Sequence, residues 1–119
     1  MKKNARVFVT QLPHRRDPES NRLIPAVNID PASEYGEVTI ILPARASIHT
    51  MGIEAYEKLD EVLEDYNYER GDAILALGDP ALMALAFAII GRYKNDFCVL
   101  CWDRRLGKYL PAYIHMNGE

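Results

Sequence analysis

Hydrophobic and polar residues follow two kinds of period along the chain, and each period predicts one kind of element. Alternating apolar and polar positions, or a short apolar run closed by glycine or proline, are typical of β-strands. These patterns predict five strands, at residues 6–12, 36–43, 72–78, 96–103 and 108–115. Apolar residues at helical spacing predict two main helices, an amphipathic one over 51–66 and an apolar one over 80–92.

The order of these elements, β-β-α-β-α-β-β, predicts an α/β fold in which the two helices pack on a mixed five-stranded sheet. Residues 1–119 are long enough for a single domain with one core. Residues 72–103 form one βαβ unit, whose parallel strands we expect to be joined by a right-handed crossover. The last two strands form a C-terminal hairpin, and Pro111 places the last one at a sheet edge because proline cannot donate to a strand ladder.

Residues 13–35 interrupt this alternation with four prolines and two Asp-Pro steps. Because proline restricts both itself and the residue before it, we expect a structured segment without long regular elements. Within it, residues 22–29 are interpreted as a short edge strand. A single helical turn is predicted to follow, with Asp30 as its cap, Pro31 at its first position and Gly36 at its end.

The predicted helix over 80–92 has no polar residue between Pro80 and Gly91. No face of such a helix is suited to water, so we expect it to be covered on two sides. The sheet covers one side. Alanines 81, 84 and 88 share one face and permit close approach, and Leu82, Leu85 and Ile89 fill another. The side away from the sheet could meet the helix at 51–66, the proline-rich segment or a second copy of the chain, and the last alternative predicts a homodimer.

The sequence Gly78-Asp79-Pro80 joins a predicted strand to this helix and has two interpretations. A glycine in this position is typical of phosphate-binding turns, where free amides at a helix start hold an anion. However, Asp79 occupies the natural capping position, where its carboxylate would accept from those amides and repel a phosphate. We therefore interpret the corner as architecture, with a nucleotide-like ligand bound at Gly78 and Asp79, for example through ribose hydroxyls, as the alternative.

Charge is distributed unevenly along the 119 residues, although the formal net charge is only −3. Residues 1–22 carry six basic and two acidic residues, whereas residues 54–72 carry eight acidic and two basic ones. From residue 91 onward bases again exceed acids, five to three. Such a bipolar chain can steer a charged partner, and the simpler interpretation of the acidic run is a solvated helix face.

The residues that carry chemistry are scattered, so neither an enzyme nor a cofactor is predicted. Cys98 and Cys101 have C-x-x-C spacing, but they lie in a predicted strand where they would face opposite sides, so we interpret them as two packed thiols. The three histidines have no metal-ligand spacing, and no serine lies in a nucleophile elbow. With no export signal and no apolar stretch of about 18 residues, we expect a cytoplasmic protein without a membrane span.

Two basic segments remain as a candidate binding surface. The first is the proline-stiffened loop 13–22, and the second is the hairpin 102–109, which also presents Tyr109. Arginines beside aromatic rings suit an acidic protein partner and equally suit phosphate backbones, although the net negative charge counts against nucleic acid. A hairpin tip with an inward-packed Trp102 is the simpler alternative. The predicted partner-binding residues are His14, Arg15, Arg16, Arg22, Trp102, Arg104, Arg105 and Lys108.

Four stretches of the chain, VTQLPHRRDPES, EYGEVTIILP, LGDPALMALAFA and WDRRLGKYLP, resemble small proteins that are encoded by tailed bacteriophages and have no assigned activity. The resemblance implies a phage-encoded protein that acts in the cytoplasm of the bacterial host, and it supplies no catalytic residue. Our leading hypothesis is a non-enzymatic protein that binds and modulates a host macromolecule, a protein partner being favoured, for example as an inhibitor. Binding of a nucleotide-like small molecule is the second hypothesis, and binding of nucleic acid is the third.

Overall fold

The computed structural model describes residues 4–93 and 96–116 and has the α/β architecture expected from the sequence. Its strands are β1 (Arg6–Gln11), β2 (His14–Arg16), β3 (Leu23–Pro25), β4 (Glu37–Leu42), β5 (Ala73–Leu75), β6 (Asp96–Asp103) and β7 (Lys108–His115). Its α-helices are α1 (Ile48–Met51), α2 (Ile53–Leu63) and α3 (Pro80–Tyr93). Two 3₁₀-helices, Asp30–Tyr35 and Tyr68–Arg70, complete it.

Five of the strands form one mixed sheet in the order β4-β1-β5-β6-β7. The first four run parallel, and β7 returns antiparallel to β6 as the second arm of the predicted C-terminal hairpin. Val9 of β1 lies opposite Ile40 of β4 on one side and opposite Leu75 of β5 on the other. The mixed five-stranded sheet is therefore confirmed, and so is the edge position that Pro111 predicts for β7.

The two faces of the sheet are buried by different parts of the chain, since neighbouring side chains of a strand point to opposite faces. Phe8 of β1 packs in a cluster that includes Leu59 of α2 and Ile89 of α3. Val7 and Val9 of the same strand pack in a second cluster with residues of the 3₁₀-helix Asp30–Tyr35. Both faces of β1 are thus covered, which explains its nearly continuous run of apolar residues.

The predicted helix over 51–66 is wrong at both ends. The segment 44–52, interpreted as a connector, contains α1, which begins at Ser47 with a capping box shared with Thr50. Gly52 then takes a positive φ of 56°, which a helix interior does not accept, so α2 starts as a separate helix at Ile53. After α2, Tyr66 leaves the helical path and is buried in the core.

The proline-rich segment has no long regular element, as predicted, but it contains a hairpin that the sequence pattern missed. β2 and β3 pair antiparallel in their own two-stranded sheet, so the strand predicted at 22–29 does not join the main sheet. The helical turn forms at Asp30–Tyr35, but Asp30 is not its cap, because Ile29 precedes the first turn and no side chain caps it. Gly36 ends this turn, as predicted.

α3 packs on the sheet beside α2, which lies on the same face, so α2 is its second cover among the candidates considered. Leu82, Ala86 and Ile89 are buried in the cluster that α2 and β1 share. The alanines 81, 84 and 88 are exposed, so the expectation that no face of this helix meets water is wrong. A methyl side chain adds little apolar area, and exposing it therefore costs little. The homodimer remains a prediction.

A cluster of charged residues lies at the amino ends of β1 and β5, where these two strands begin. Asp72 is fully buried, and its carboxylate accepts from the backbone amides of Arg6 (2.8 Å) and Asn67 (3.0 Å). The guanidinium of Arg70 donates to the same carboxylate through Nε and Nη2. Asp65, which is half exposed, accepts from Arg6 at 2.6 Å and from Arg70 at 3.0 Å. The hydrogen bonds from Arg70, and then from Arg6, lower the pKa of Asp65.

The two cysteines differ in environment, so the expectation of two packed thiols is wrong for one of them. Cys98 is buried beside Val7 and Leu100, whereas Cys101, three residues later on β6, is exposed. Burial, and to a smaller extent the charge of Cys101, raises the pKa of the Cys98 thiol. The thiolate is the reactive form, so Cys98 needs a higher pH as well as an opening of the fold to react.

We expect DTNB to modify the native protein in two phases, a fast one from Cys101 and one at least about tenfold slower from Cys98. Cys101→Ser should remove the fast phase and Cys98→Ser the slow phase, and denaturant should merge the two. Equal rates in the native protein would contradict the burial of Cys98.

Candidate functional site

The carboxyl ends of four parallel strands meet at one edge of the main sheet, here called the carboxyl edge. From β1 the chain continues into the segment that covers one face, and from β5 it continues into α3 on the other face. Such a change of face between neighbouring strands is a topological switch point, and ligands of open α/β sheets bind outside the carboxyl ends there. All residues predicted for a site follow β1 or β5, or lie at the end of β6 and the start of β7, so they occur at this edge.

The Gly78-Asp79 corner is bonded within the chain. Gly78 has a φ of 95°, and the amide of Asp79 donates to Oε1 of Gln11 at 2.8 Å. The carboxylate of Asp79 in turn accepts from the amide of Ala81 at 3.0 Å, in the capping role predicted for it. Pro80 has no amide hydrogen to offer. Two of the donors that an anion would need at this helix start, the amides of Asp79 and Ala81, are therefore already used.

Thr10 and Gln11, the polar end of an otherwise apolar strand, hold this corner in place. The hydroxyl of Thr10 donates to the carbonyl of Leu77 (2.6 Å) and accepts from its amide (2.9 Å). The side-chain amide of Gln11 donates to the carbonyls of Pro43 and Ala46, both at 2.8 Å. These bonds join the carboxyl ends of β1, β4 and β5. Sequence reasoning missed these bonds. The only signal in the sequence was that two polar residues, Thr10 and Gln11, follow an apolar run within one predicted strand.

The first basic protrusion is the β2–β3 hairpin, here called the first hairpin, which carries the exposed side chains of His14, Arg15, Arg16 and Arg22. Its tip is shaped by Asp17, whose carboxylate accepts from the hydroxyl (2.7 Å) and amide (3.2 Å) of Ser20. These hydrogen bonds lower the pKa of Asp17. Nη1 of the Arg16 guanidinium donates to the carbonyl of Asn21 at 2.7 Å, while the side chain as a whole remains exposed.

The second basic protrusion is the turn between β6 and β7, here called the second hairpin, which carries Arg104, Arg105 and Lys108. Asp103 shapes this turn: its carboxylate accepts from the amide of Leu106 (2.9 Å), and its carbonyl accepts from the amide of Gly107 (2.8 Å). All three cationic side chains are exposed. The two hairpins leave the same edge because β1 and β6 both run parallel to β5.

The arginines of the protein divide into paired and unpaired groups. Arg6, Arg70 and Arg92 each form an ion pair with a carboxylate. Among the described residues, no carboxylate lies within ion-pair distance of any cation on the two hairpins. The nearby acids Asp17 and Asp103 are instead engaged by backbone amides of their own turns. Positive charge is therefore concentrated at the carboxyl edge without an internal partner, although Lys2 and Lys3 of the predicted basic segment lie outside the described residues.

A cleft of about 580 Å³ opens at the carboxyl ends of β5 and β6. It is lined by Val27, Asn28 and Pro31 of the proline-rich segment, by residues 75–77 and 99–101, and by Trp102 with Tyr109. A smaller depression of about 490 Å³, which includes Arg15, shares Val27 and Asn28 with it. The cleft lies beside the Gly78-Asp79 corner in the chain but does not include it. Its lining from 27–31 shows no hydrophobic period, so sequence reasoning did not find it.

Trp102 and Tyr109 form an aromatic pair at this cleft, and the structure corrects the exposure expected for one of them. Tyr109 is buried, because its side chain faces the layer of the 3₁₀-helix and its carbonyl accepts from the Tyr35 hydroxyl at 2.6 Å. Trp102 is 50% exposed, with its ring edge-on to that of Tyr109 at 4.9 Å between centroids. The inward-packed alternative for Trp102 therefore holds for only half of the side chain.

Metal-ligating side chains do not gather in the described part of the chain. Within residues 4–93 and 96–116, no three histidine, cysteine or carboxylate groups lie close enough to hold a metal ion. His14 contacts the carbonyl of Leu12, and His115 lies 3.2 Å from the carboxylate of Asp96, far along the chain. In the same residues, no helix combines the length and the hydropathy needed to cross a bilayer.

The sequence model of the Phage Pam3 gp32-like protein family matches residues 5–116, which include both hairpins, the corner and the cleft. No curated protein and no solved structure matches the chain.

Proposed function

The chain belongs to the Phage Pam3 gp32-like protein family, and we propose that it is a small non-enzymatic protein that binds a protein of the bacterial host. Its contact surface is the pair of basic hairpins, and its partner presents a surface rich in Asp and Glu. Binding takes place in the host cytoplasm and modulates the partner, for example by blocking a surface that the partner uses.

The observation that carries this proposal is a set of six exposed cations at one edge of the sheet, none of which has a carboxylate partner among the residues that the structure describes: Arg15, Arg16, Arg22, Arg104, Arg105 and Lys108. Charges that are paired within a protein are largely neutralised by their partners and attract a ligand weakly. Unpaired charges attract a ligand of opposite charge and raise the rate of association. Nucleic acid is a weaker candidate, because the net charge of −3 repels a phosphate backbone.

The test begins with capture of partners from a lysate of the bacterial host, followed by affinity measurement on the purified partner. We expect Arg15→Glu/Arg16→Glu on the first hairpin to weaken binding about tenfold or more, and Arg104→Glu/Arg105→Glu on the second hairpin to do the same. Binding should also weaken as salt is raised, because exposed charges are screened.

Lys58→Glu serves as the control, since it reverses an exposed cation on α2 that belongs to neither hairpin. We expect it to leave the affinity within about twofold of wild type, as is usual for a charge outside an interface. Melting temperatures establish that each variant is folded. Failure to recover a protein partner would contradict the proposal, and so would a partner that binds both double variants as tightly as wild type.

A nucleotide-like ligand at Gly78 and Asp79 is not favoured by any contact at that corner. The amide of Asp79 donates to Gln11, and the amide of Ala81 donates to the Asp79 carboxylate. The same carboxylate would repel a phosphate. The homodimer is likewise a prediction, to be decided by the mass of the protein in solution.

A further inference from the structure

We infer that the cleft at the carboxyl ends of β5 and β6 is a binding site for a small planar aromatic anion such as a nucleoside monophosphate. The ring would lie against Trp102 on the apolar lining, and its phosphate would reach the cations of the hairpins. This site is separate from the Gly78-Asp79 corner and requires no protein partner.

The size and position of the cleft fit a small ligand. Its volume of about 580 Å³ lies within the range of about 300–1,000 Å³ that is usual for such sites. It opens at the carboxyl ends of parallel strands beside the point where the chain changes from one face of the sheet to the other, which is where open α/β sheets bind ligands. The 3₁₀-helix Asp30–Tyr35 covers the neighbouring part of this face and leaves the cleft open.

The lining favours an aromatic ring. Most of it is apolar, with Val27, Pro31 and Val99 among its residues, and half of the Trp102 side chain faces solvent. Because Trp102 rests edge-on against the buried ring of Tyr109, its orientation is set before a ligand arrives. A planar ring that covers the exposed part of Trp102 would gain stacking and remove apolar surface from water.

The charges around the cleft favour an anion. Arg104, Arg105 and Lys108 lie between Trp102 and Tyr109 in the chain, and Arg15 lies in the adjoining depression together with Asp30. Among the described residues, the cleft itself is lined by neither a carboxylate nor a cation, so the cations lie at its margin. The lining also contains Asn28, whose side-chain oxygen accepts from Asp30 at 3.0 Å and whose NH₂ group makes no hydrogen bond within the described residues. This group is available to a ring carbonyl or a phosphate oxygen.

Trp102 is the only tryptophan of the chain, so intrinsic fluorescence reports directly on the cleft. Titration of the wild-type protein with AMP, GMP or UMP is expected to give a saturable change in Trp102 emission and a rise in melting temperature. Adenosine and ribose 5-phosphate each supply one half of the ligand. At least one nucleotide should bind about tenfold more tightly than both halves.

Variants and a chemical probe locate the site. Arg104→Glu/Arg105→Glu is expected to weaken nucleotide binding about tenfold, and Lys58→Glu to leave it unchanged. For Trp102→Leu, which has no tryptophan fluorescence, calorimetry should show a loss of affinity of similar size. Cys101 lines the cleft and Cys98 does not, so bound nucleotide should slow modification of Cys101 alone.

The absence of any saturable change with all three nucleotides at about millimolar concentration would overturn the inference, as would binding that the Arg104/Arg105 and Trp102 variants leave unchanged. A short single-stranded oligonucleotide distinguishes a base within nucleic acid from a free nucleotide. Binding of the oligonucleotide without binding of any mononucleotide would also overturn it. No host protein is present in these titrations, so their outcome is independent of the partner proposed above.

Discussion

Replacement of Asp72 by asparagine is expected to lower the free energy of unfolding by about 3–5 kcal/mol, the usual cost of removing one partner from a buried ion pair. The carboxylate of Asp72 has no exposed surface, and two backbone amides and the Arg70 guanidinium donate to it. Asparagine keeps the shape but removes the charge, and its NH₂ group would face donors instead of acceptors. Urea denaturation of wild type and variant measures the difference.

Asp65→Asn is the matched control, because Asp65 accepts from the same Arg70 but its side chain is 51% exposed. We expect it to cost no more than about 1 kcal/mol, as is usual for exposed ion pairs. Since Arg70 and Arg6 lower the pKa of Asp65, its contribution is present near neutral pH and is lost as the pH falls through the acid range. Equal effects of the two substitutions would show that burial does not determine the strength of this cluster.

The elements that the sequence predicts well are those whose pattern is local. β6 and β7 have the predicted bounds, because a long alternation on each side of a Gly107 turn can form only a hairpin. α3 also starts where expected, since Asp79 and Pro80 are both typical of a helix start. In each case the residues that determine the element lie within it or directly beside it.

The elements that were missed depend on residues far apart in the chain. β2 has only three residues, all polar, and becomes a strand because β3 pairs with it. The third strand of the main sheet ends at Leu75 and not at residue 78, because the Leu77 backbone bonds to the Thr10 side chain instead of continuing the ladder. No local pattern contains such a partner, and tertiary contacts override the preference of the segment.

The parts of the candidate site also differ in whether local sequence predicts them. The two basic segments, 13–22 and 102–109, were predictable because Arg-Arg pairs flanked by turn residues stand out in composition, although the hairpin form of the first was not. The cleft between Val27 and Trp102 was not, because it is formed where the proline-rich segment fails to cover the ends of β5 and β6. Uncovered surface results from how two elements pack, and single-element patterns carry no information about it.

Gly78→Ala is expected to lower the free energy of unfolding by about 2–5 kcal/mol, by two mechanisms. A residue with a side chain pays about 1–2 kcal/mol to hold the φ of 95° found at Gly78. In addition, the new Cβ would lie 2.7 Å from Cβ of Gln11 and 2.9 Å from its Cδ. Gln11 can avoid this contact only by giving up at least one of its hydrogen bonds with Asp79, Pro43 and Ala46, and a buried polar group left unpaired costs about 1–3 kcal/mol.

Gly107→Ala separates the two mechanisms. Gly107 also has a positive φ, 62°, but a Cβ placed there meets nothing within 4 Å. Gly107→Ala should therefore lower the free energy of unfolding only by the backbone contribution of about 1–2 kcal/mol. Urea denaturation measures both variants. A clearly larger loss of unfolding free energy for Gly78→Ala than for Gly107→Ala would show that the Gln11 side chain fixes the corner. The close approach of Gln11, rather than an open anion site, would then be the reason for a glycine at position 78. Equal losses would leave the corner free to move, and the architectural interpretation of Gly78-Asp79 would then be wrong.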